Sequence, residues 1–246
     1  MSSEIILFGD VIVDIGRRFI EKPYRAGTLE GPGKERLVVD TSGFDCTTFV
    51  EIVLALARCA DGGKITRSAF RQKLQSLRYR QGKINGYASR LHYFTDWIYD
   101  NKKMGFITDL SKQLGGNRQQ KKINYMTRHR AQYPALHDHT QLTELLSVEK
   151  KLSRRFFYML DEDTLNKNKG QIKNGDIIAF ASKRKGLDVA HVGFAFWKGK
   201  SLRLLHASQA EGRVVISQKT LVSYLKSNRS FTGVIVAKYI GNHDGR

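Results

Sequence analysis

The chain has 246 residues, with 42 Lys and Arg against 23 Asp and Glu and a formal net charge of +19; its sequence pI is near 10.0. At 41% hydrophobic residues it has the composition of a packed globular protein with a sizeable core, and two cysteines are too few for a disulfide framework. The positive charge favours polyanionic partners such as nucleic acid, an anionic membrane surface or an acidic small substrate, without choosing among them.

The first twenty residues hold only a short apolar run, Ile5 to Phe8, followed by Asp10 and Asp14. They lack the basic start and longer apolar core of a secretory leader. The expectation is a cytoplasmic protein, or an envelope or periplasmic one whose leader has been removed. No run approaches the roughly 18 apolar residues of a membrane span, so no transmembrane segment is expected.

Val11 to Ile20 reads as an amphipathic helix closed by Lys22-Pro23, and Gly27 to Glu35 as a loop. From Cys46 to about Arg58, Phe49, Val50, Val53, Leu54 and Ala57 recur at helical spacing, with Asp45 or a nearby threonine as cap. Cys46 then lies in the first turn, and a helix separating it from Cys59 holds the two roughly 20 Å apart, beyond disulfide reach. Residues 60–172 read as a large helical insertion, with helices at Thr66 to Leu77, Leu91 to Lys102 and Gln141 to Phe156, and with Asn117 to Lys122 as solvated loop.

After Asn174-Gly175 the period becomes strand-like. Asp176 to Ala181, Val189 to Trp197, Ser201 to Ala207, Arg213 to Ser217 and Thr232 to Tyr239 are short, rich in Val, Ile and Phe, and closely connected, so an antiparallel sheet follows; Thr220 to Lys226 is a helix before the last strand. Asp176 reads as a turn former. No repeat or linker divides the chain, and 1–246 is expected to be a single catalytic domain of the α+β class.

Cys46 is the candidate nucleophile, since unpaired amides and the helix dipole at a helix N-terminus favour a thiolate. Its own amide can bind an oxyanion. Downstream, the hairpin around Gly199 has two plausible registers. If Trp197 pairs with Lys200, His191 faces His206; if Lys198 pairs with Ser201, His206 is the diagonal neighbour on the same face. A register of the other parity separates them. Taken singly, each residue has an ordinary structural reading, Cys46 as a small buried hydrophobe and each histidine as a core group. Together they suit a nucleophile, base and orienter. No second cysteine or close ligand pair accompanies them, so neither a zinc site nor any other cofactor is expected.

Lys22-Pro23-Tyr24-Arg25-Ala26-Gly27, Gly43-Phe44-Asp45-Cys46, Gly175-Asp176-Ile177-Ile178-Ala179-Phe180, His191-Val192-Gly193-Phe194 and Leu205-His206-Ala207 occur in the order of motifs in NlpC-type cysteine peptidases and amidases. The chain resembles that papain-like superfamily over nearly its whole length. It departs in Thr47-Thr48, where Ser-Gly is common, in Ala26, where Trp is common, and in the long insertion. With Thr28-Leu29-Glu30, Arg78-Tyr79-Arg80, Gly86 to Tyr93 and Leu187 to His191, these departures resemble the N-acetylmuramoyl-L-alanine amidase-like branch.

The resemblance implies a catalytic helix packed on a C-terminal antiparallel sheet, with Cys46, His191 and His206 as the triad. It implies cleavage of the amide between muramic acid and L-Ala in peptidoglycan fragments through a thioester, or, as the alternative, of the bond after D-Glu. Tyr24 corresponds to a tyrosine near the oxyanion position, or else packs beside Pro23. Asp45, Tyr87, Ser89, Arg90, His92, Tyr93, Asp188 and Ser208 are further oxyanion or substrate-binding candidates. Arg78, Arg80 and Trp97 share the mix of cations and aromatic faces in the insertion, where any one residue is more often a solvated face or part of a core stripe. The implied partners are muropeptides and anionic wall polymers, with no obligate protein partner. A basic nucleic-acid-binding protein is the reading from a different class.

Overall fold

The computed structural model describes residues 8–31, 33–63 and 65–241, so most of the apolar run Ile5 to Phe8 lies outside the described residues. The helices are α1 (Phe8–Arg17), α2 (Cys46–Asp61), α3 (Arg67–Arg78), α4 (Phe94–Lys103), α5 (Tyr125–Arg128), α6 (His139–Leu152), α7 (Glu162–Asn168) and α8 (Leu221–Ser227). The strands are β1 (Ile107–Asp109), β2 (Asn117–Gln120), β3 (Phe156–Met159), β4 (Ile177–Ser182), β5 (Val189–Lys198), β6 (Ser201–Ser208), β7 (Arg213–Ile216) and β8 (Phe231–Tyr239). Six strands form one sheet in the order β1-β8-β4-β5-β6-β7, and β2 pairs with β3 apart from it. Every pairing is antiparallel, which makes the fold α+β.

Strand alternation sorts the core. Ile177 and Ala179 of β4, Val192 and Phe194 of β5, and Leu205 and Ala207 of β6 pack with Phe49, Val50, Val53 and Leu54 of α2. The residues between them, Ile178, Phe180, Ala195 and Leu204, pack with Leu165 of α7 and Leu221 and Leu225 of α8. Both faces of β4 are therefore covered, and all its residues are buried.

Two expectations about the insertion need correction. Asn117 to Lys122 is not all loop: Asn117–Gln120 forms β2, paired to β3, and the helix expected to reach Phe156 ends at Leu152, before β3. Nor is the insertion only helical, because Ile107–Asp109 joins the main sheet as its edge strand against β8. Short edge strands are set by their partner more than by their own sequence.

A buried ion pair ties the insertion to α2. Arg78 Nε donates to Glu51 Oε2 at 2.7 Å with both side chains 2% exposed, and Arg78 Nη1 donates to the Val38 carbonyl at 2.6 Å. Burial pushes the Glu51 carboxyl up, and the Arg78 guanidinium opposes that shift.

Candidate active site

The N-terminus of α2 is built by its own sequence. Asp45 has extended backbone angles, φ −87° and ψ 178°, and caps the helix. Thr48 N–H donates to Asp45 Oδ1 at 2.7 Å, and Asp45 N–H donates to Thr48 Oγ1 at 3.0 Å. This reciprocal pair gives Thr48 a capping role, and the Thr47 hydroxyl bonds to the Cys46 sulfur. Asp45 is thus held in the cap directly beside Cys46.

Upstream, Tyr24 forms a bridge with Phe44. Arg25 N–H donates to the Phe44 carbonyl at 2.9 Å and Phe44 N–H to the Pro23 carbonyl at 3.0 Å. Gly43 permits this approach, since a Cβ there would lie 2.9 Å from the Pro23 oxygen and 2.6 Å from the Arg25 side chain. Tyr24 is consequently beside the thiol. Burial, followed by the neighbouring Cys46 and Asp45, raises its hydroxyl to about 12, which keeps it a neutral donor.

The hairpin takes the second register, with Lys198 opposite Ser201, and pairing stops at Phe194 opposite Leu205. Beyond that point β5 and β6 part. His191 Nε2 and His206 Nδ1 lie 2.6 Å apart across the gap, with ring centroids at 4.8 Å and planes at 82°. Gly193 allows this closeness: a Cβ there would be 2.8 Å from both His206 Cβ and the Leu205 oxygen.

The histidines share a face, but it is the face covered by α8. Tyr224 lies 6.1 Å from the His191 ring and 5.4 Å from the His206 ring, centroid to centroid, and Phe180 lies 6.0 Å from His191. Cys46, carried by a helix on the opposite face, reaches the strand beside His191. There the Val192 N–H, next to His191 in sequence, donates to its sulfur. Tyr224 also feels the Cys46 charge and is raised to about 12, chiefly by burial. Sequence reasoning placed a helix here without singling out Tyr224, whose pattern is that of an ordinary core stripe.

Burial dominates the electrostatics. It pushes the Cys46 thiol up to about 12, with the Asp45 charge adding to the rise, while the Val192, Thr47 and Cys46 donors pull the other way. It lowers His191 to about 4, and burial with the nearby His191 lowers His206 to about 2. All three groups rest neutral. Transfer of a proton from sulfur to imidazole would create two opposite charges together, and their attraction would offset the desolvation that either faces alone. His206 is 1% exposed, and its Nε2 has no hydrogen-bond partner among the described residues.

Ser208 lines a cavity with His191 and accepts the Glu211 N–H at 3.2 Å. Asp188 is buried and accepts the Thr95 N–H and hydroxyl, each at 2.7 Å, fixing the start of β5 to α4. The insertion candidates form a bracket elsewhere. Arg90 donates to Glu30 at 2.6 Å and to the Leu29 carbonyl at 2.8 Å, while the Tyr87 hydroxyl donates to Glu30 at 3.0 Å. His92 Nε2 contacts the Tyr87 carbonyl at 2.8 Å, and Ser89 donates to the Gly86 carbonyl at 2.7 Å. Tyr93 donates to Glu149 at 2.6 Å, Arg80 pairs with Asp96 at 2.7 Å, and Trp97 is fully buried. Arg90 and Tyr87 therefore hold the loop that runs from Tyr24 towards Cys46. Asp176 accepts the Lys173 N–H at 2.7 Å, as a turn former does.

Among the described residues, no group of three or more His, Cys, Asp or Glu side chains is arranged to hold a metal. A family model described as N-acetylmuramoyl-L-alanine amidase-like matches residues 14–234. The chain belongs to the N-acetylmuramoyl-L-alanine amidase-like family. Three solved structures show how far the likeness extends. A crystal structure of an N-acetylmuramoyl-L-alanine amidase from Bacteroides uniformis is 37% identical, with a TM-score of 0.90 over 95% of this chain and 99% of that one. A Bacteroides fragilis protein provisionally described as a xylanase is 39% identical, with a TM-score of 0.86 over 92% and 99%. A Legionella pneumophila protein, 23% identical with a TM-score of 0.71 over 95% of this chain and 89% of that one, shares the fold. No curated protein matches. Among the described residues no helix is long and apolar enough to cross a membrane.

Proposed function

We propose that this protein is a papain-like cysteine amidase that cleaves the amide joining muramic acid to L-Ala in peptidoglycan fragments. The observation that carries the reading is the His191–His206 contact of 2.6 Å at the strand split where the Val192 amide meets the Cys46 sulfur. Family membership and the Bacteroides uniformis amidase supply the substrate class.

His191 Nε2 carries hydrogen and donates to His206 Nδ1, leaving His191 Nδ1 to take the thiol proton. The sulfur attacks the lactyl carbonyl, and the oxyanion is held by the Cys46 N–H and the Tyr24 hydroxyl. His191 returns its proton to the leaving L-Ala nitrogen as the C–N bond breaks. A thioester remains, and water, deprotonated by His191, cleaves it to the muramoyl acid and free thiol. The insertion acts with this centre as one catalytic unit, because its Arg90 and Tyr87 fix the loop leading from Tyr24.

A glycosidase reading, prompted by the Bacteroides fragilis description, would need two carboxyl groups flanking the bond. Asp45 is the carboxylate next to Cys46, and it is engaged in the helix cap. A cell-wall substrate argues for an envelope or periplasmic site of action. Product masses from one defined muropeptide test the bond. Free stem peptide beginning with L-Ala supports the amidase, whereas cleavage after D-Glu replaces it with the endopeptidase reading.

A further inference from the structure

A cavity of about 740 Å³ opens beside His191, walled in part by Tyr224, Phe231 and Ser208. Its charged lining consists of Lys183, Arg184 and Arg229, with no Asp or Glu. The nearby Glu211, whose charge reaches Tyr224, is outside that lining. A second hollow of about 500 Å³ shares Arg184 and adds Arg128, His129 and Lys185, again without a carboxylate. The two hollows make a basic path leading away from the imidazole.

The backbone that carries these cations is tied together, and the Arg184 side chain is anchored. Lys183 N–H donates to the Ser230 carbonyl at 2.7 Å, tying the turn after β4 to the segment that carries Arg229. Arg184 Nη1 donates to the Tyr125 hydroxyl at 2.8 Å, with its guanidinium 5.5 Å from that ring. One face of Arg184 is thus anchored at the junction, leaving further N–H groups for an anion.

Acyl transfer gives this path a direction. His191 must hand its proton to the leaving nitrogen, so the leaving half of the substrate extends from the imidazole and the acyl half lies towards Tyr24. The geometry points to the cavity as the subsite for the leaving half, an acidic peptide whose carboxylates meet Lys183, Arg184 and Arg229, with its distal end reaching Arg128 and Lys185. This assignment rests on the amidase reading for which half leaves. Net positive charge spread over the whole surface would give no such preference for one end of the substrate.

The test compares a muramoyl-peptide bearing free carboxylates with its carboxamide counterpart, using wild type and Arg184→Ala/Arg229→Ala. The wild type is expected to show a KM about tenfold lower for the acidic substrate, and the double variant to lose that difference. Arg229→Ala alone, at an exposed position, gives a partial loss if the pair perturbs folding. A second measurement needs no turnover: calorimetry of Cys46→Ala protein with the free acidic tripeptide and with its carboxamide. Preferential binding of the acidic form, weakened by salt and by Arg184→Ala, supports the subsite. Equal binding of the two forms, a retained KM difference in the double variant, or displacement of the peptide by a lower concentration of single-stranded DNA overturns it. Acid-selective binding without cleavage of the muramoyl amide refutes the amidase reading and leaves the subsite standing. Cleavage of that bond with charge-blind binding does the reverse.

Discussion

His191 and His206 touch across strands that have just ceased to pair, Nε2 to Nδ1 at 2.6 Å, as diagonal neighbours across Gly193 beyond the last pair, Phe194 opposite Leu205. The contact uses one nitrogen of each ring and leaves His191 its other nitrogen for the thiol. In the proposed mechanism His206 is accordingly a positioning residue. His206→Ala is expected to lower kcat/KM by about 10- to 100-fold with KM changed little, and His206→Gln to recover part of the loss. Steady-state kinetics with a defined muropeptide reads this, and equal activity of the alanine and glutamine variants would argue for a packing role.

Gly193 is the hinge of that arrangement. In Gly193→Ala the new methyl meets His206 Cβ and the Leu205 oxygen, both at 2.8 Å, so strand and imidazole must move apart. The expected destabilisation is about 1–3 kcal/mol, accompanied by a fall in kcat, because a misplaced orienter costs more in rate than in folding. Urea titration and kinetics on one preparation check both effects.

Burial of the neutral histidines makes stability depend on pH with a definite sign. His191 titrates at about 4 in the fold, below its ordinary value of 6.5. Between those values the unfolded chain binds the extra proton, so this group makes stability fall as pH drops from about 6.5 to 4. Asp176, raised by burial to about 6, acts in the opposite sense over much of that window. The histidine contribution is therefore read as a difference: His191→Asn is expected to lose less stability than wild type between pH 7 and 5, by an amount on the order of 1–3 kcal/mol. Urea midpoints at the two pH values measure it.

The Arg78–Glu51 pair, 2.7 Å apart and nearly inaccessible to water, joins α3 to α2. Arg78→Met leaves a buried carboxylate without its cation, and a loss of about 3–5 kcal/mol is expected; Arg78→Met/Glu51→Leu should recover most of it. A double-mutant cycle by chemical denaturation separates the lost pair from the stranded charge.

Much of this architecture was legible in the chain because its signals were local. Helical spacing from Phe49 to Ala57 located α2, the helix expected at Thr66 to Leu77 is α3 shifted by one residue, and alternation in Val189 to Trp197 located β5 and gave the hairpin only two useful registers. Ile107–Asp109 and Asn117–Gln120 were not legible, since such short segments become strands through their partners. The shared face of His191 and His206 followed from parity. That this face lies under Tyr224 while α2 occupies the other depends on how the layers stack, which no single strand records. Arg90 and Tyr87 illustrate the same limit: their polar ends are engaged with Glu30, sixty residues earlier in the chain for Arg90.

The central claim is that the Cys46 sulfur forms the bond to the substrate carbonyl. Its most direct test is the rate of peptide release from a defined muropeptide, followed by mass spectrometry, for wild type and Cys46→Ala proteins of matched thermal stability. Loss of activity by a factor of about 10⁴ or more in Cys46→Ala is the expected result. Release of the same peptide by Cys46→Ala at more than about a hundredth of the wild-type rate would contradict the account.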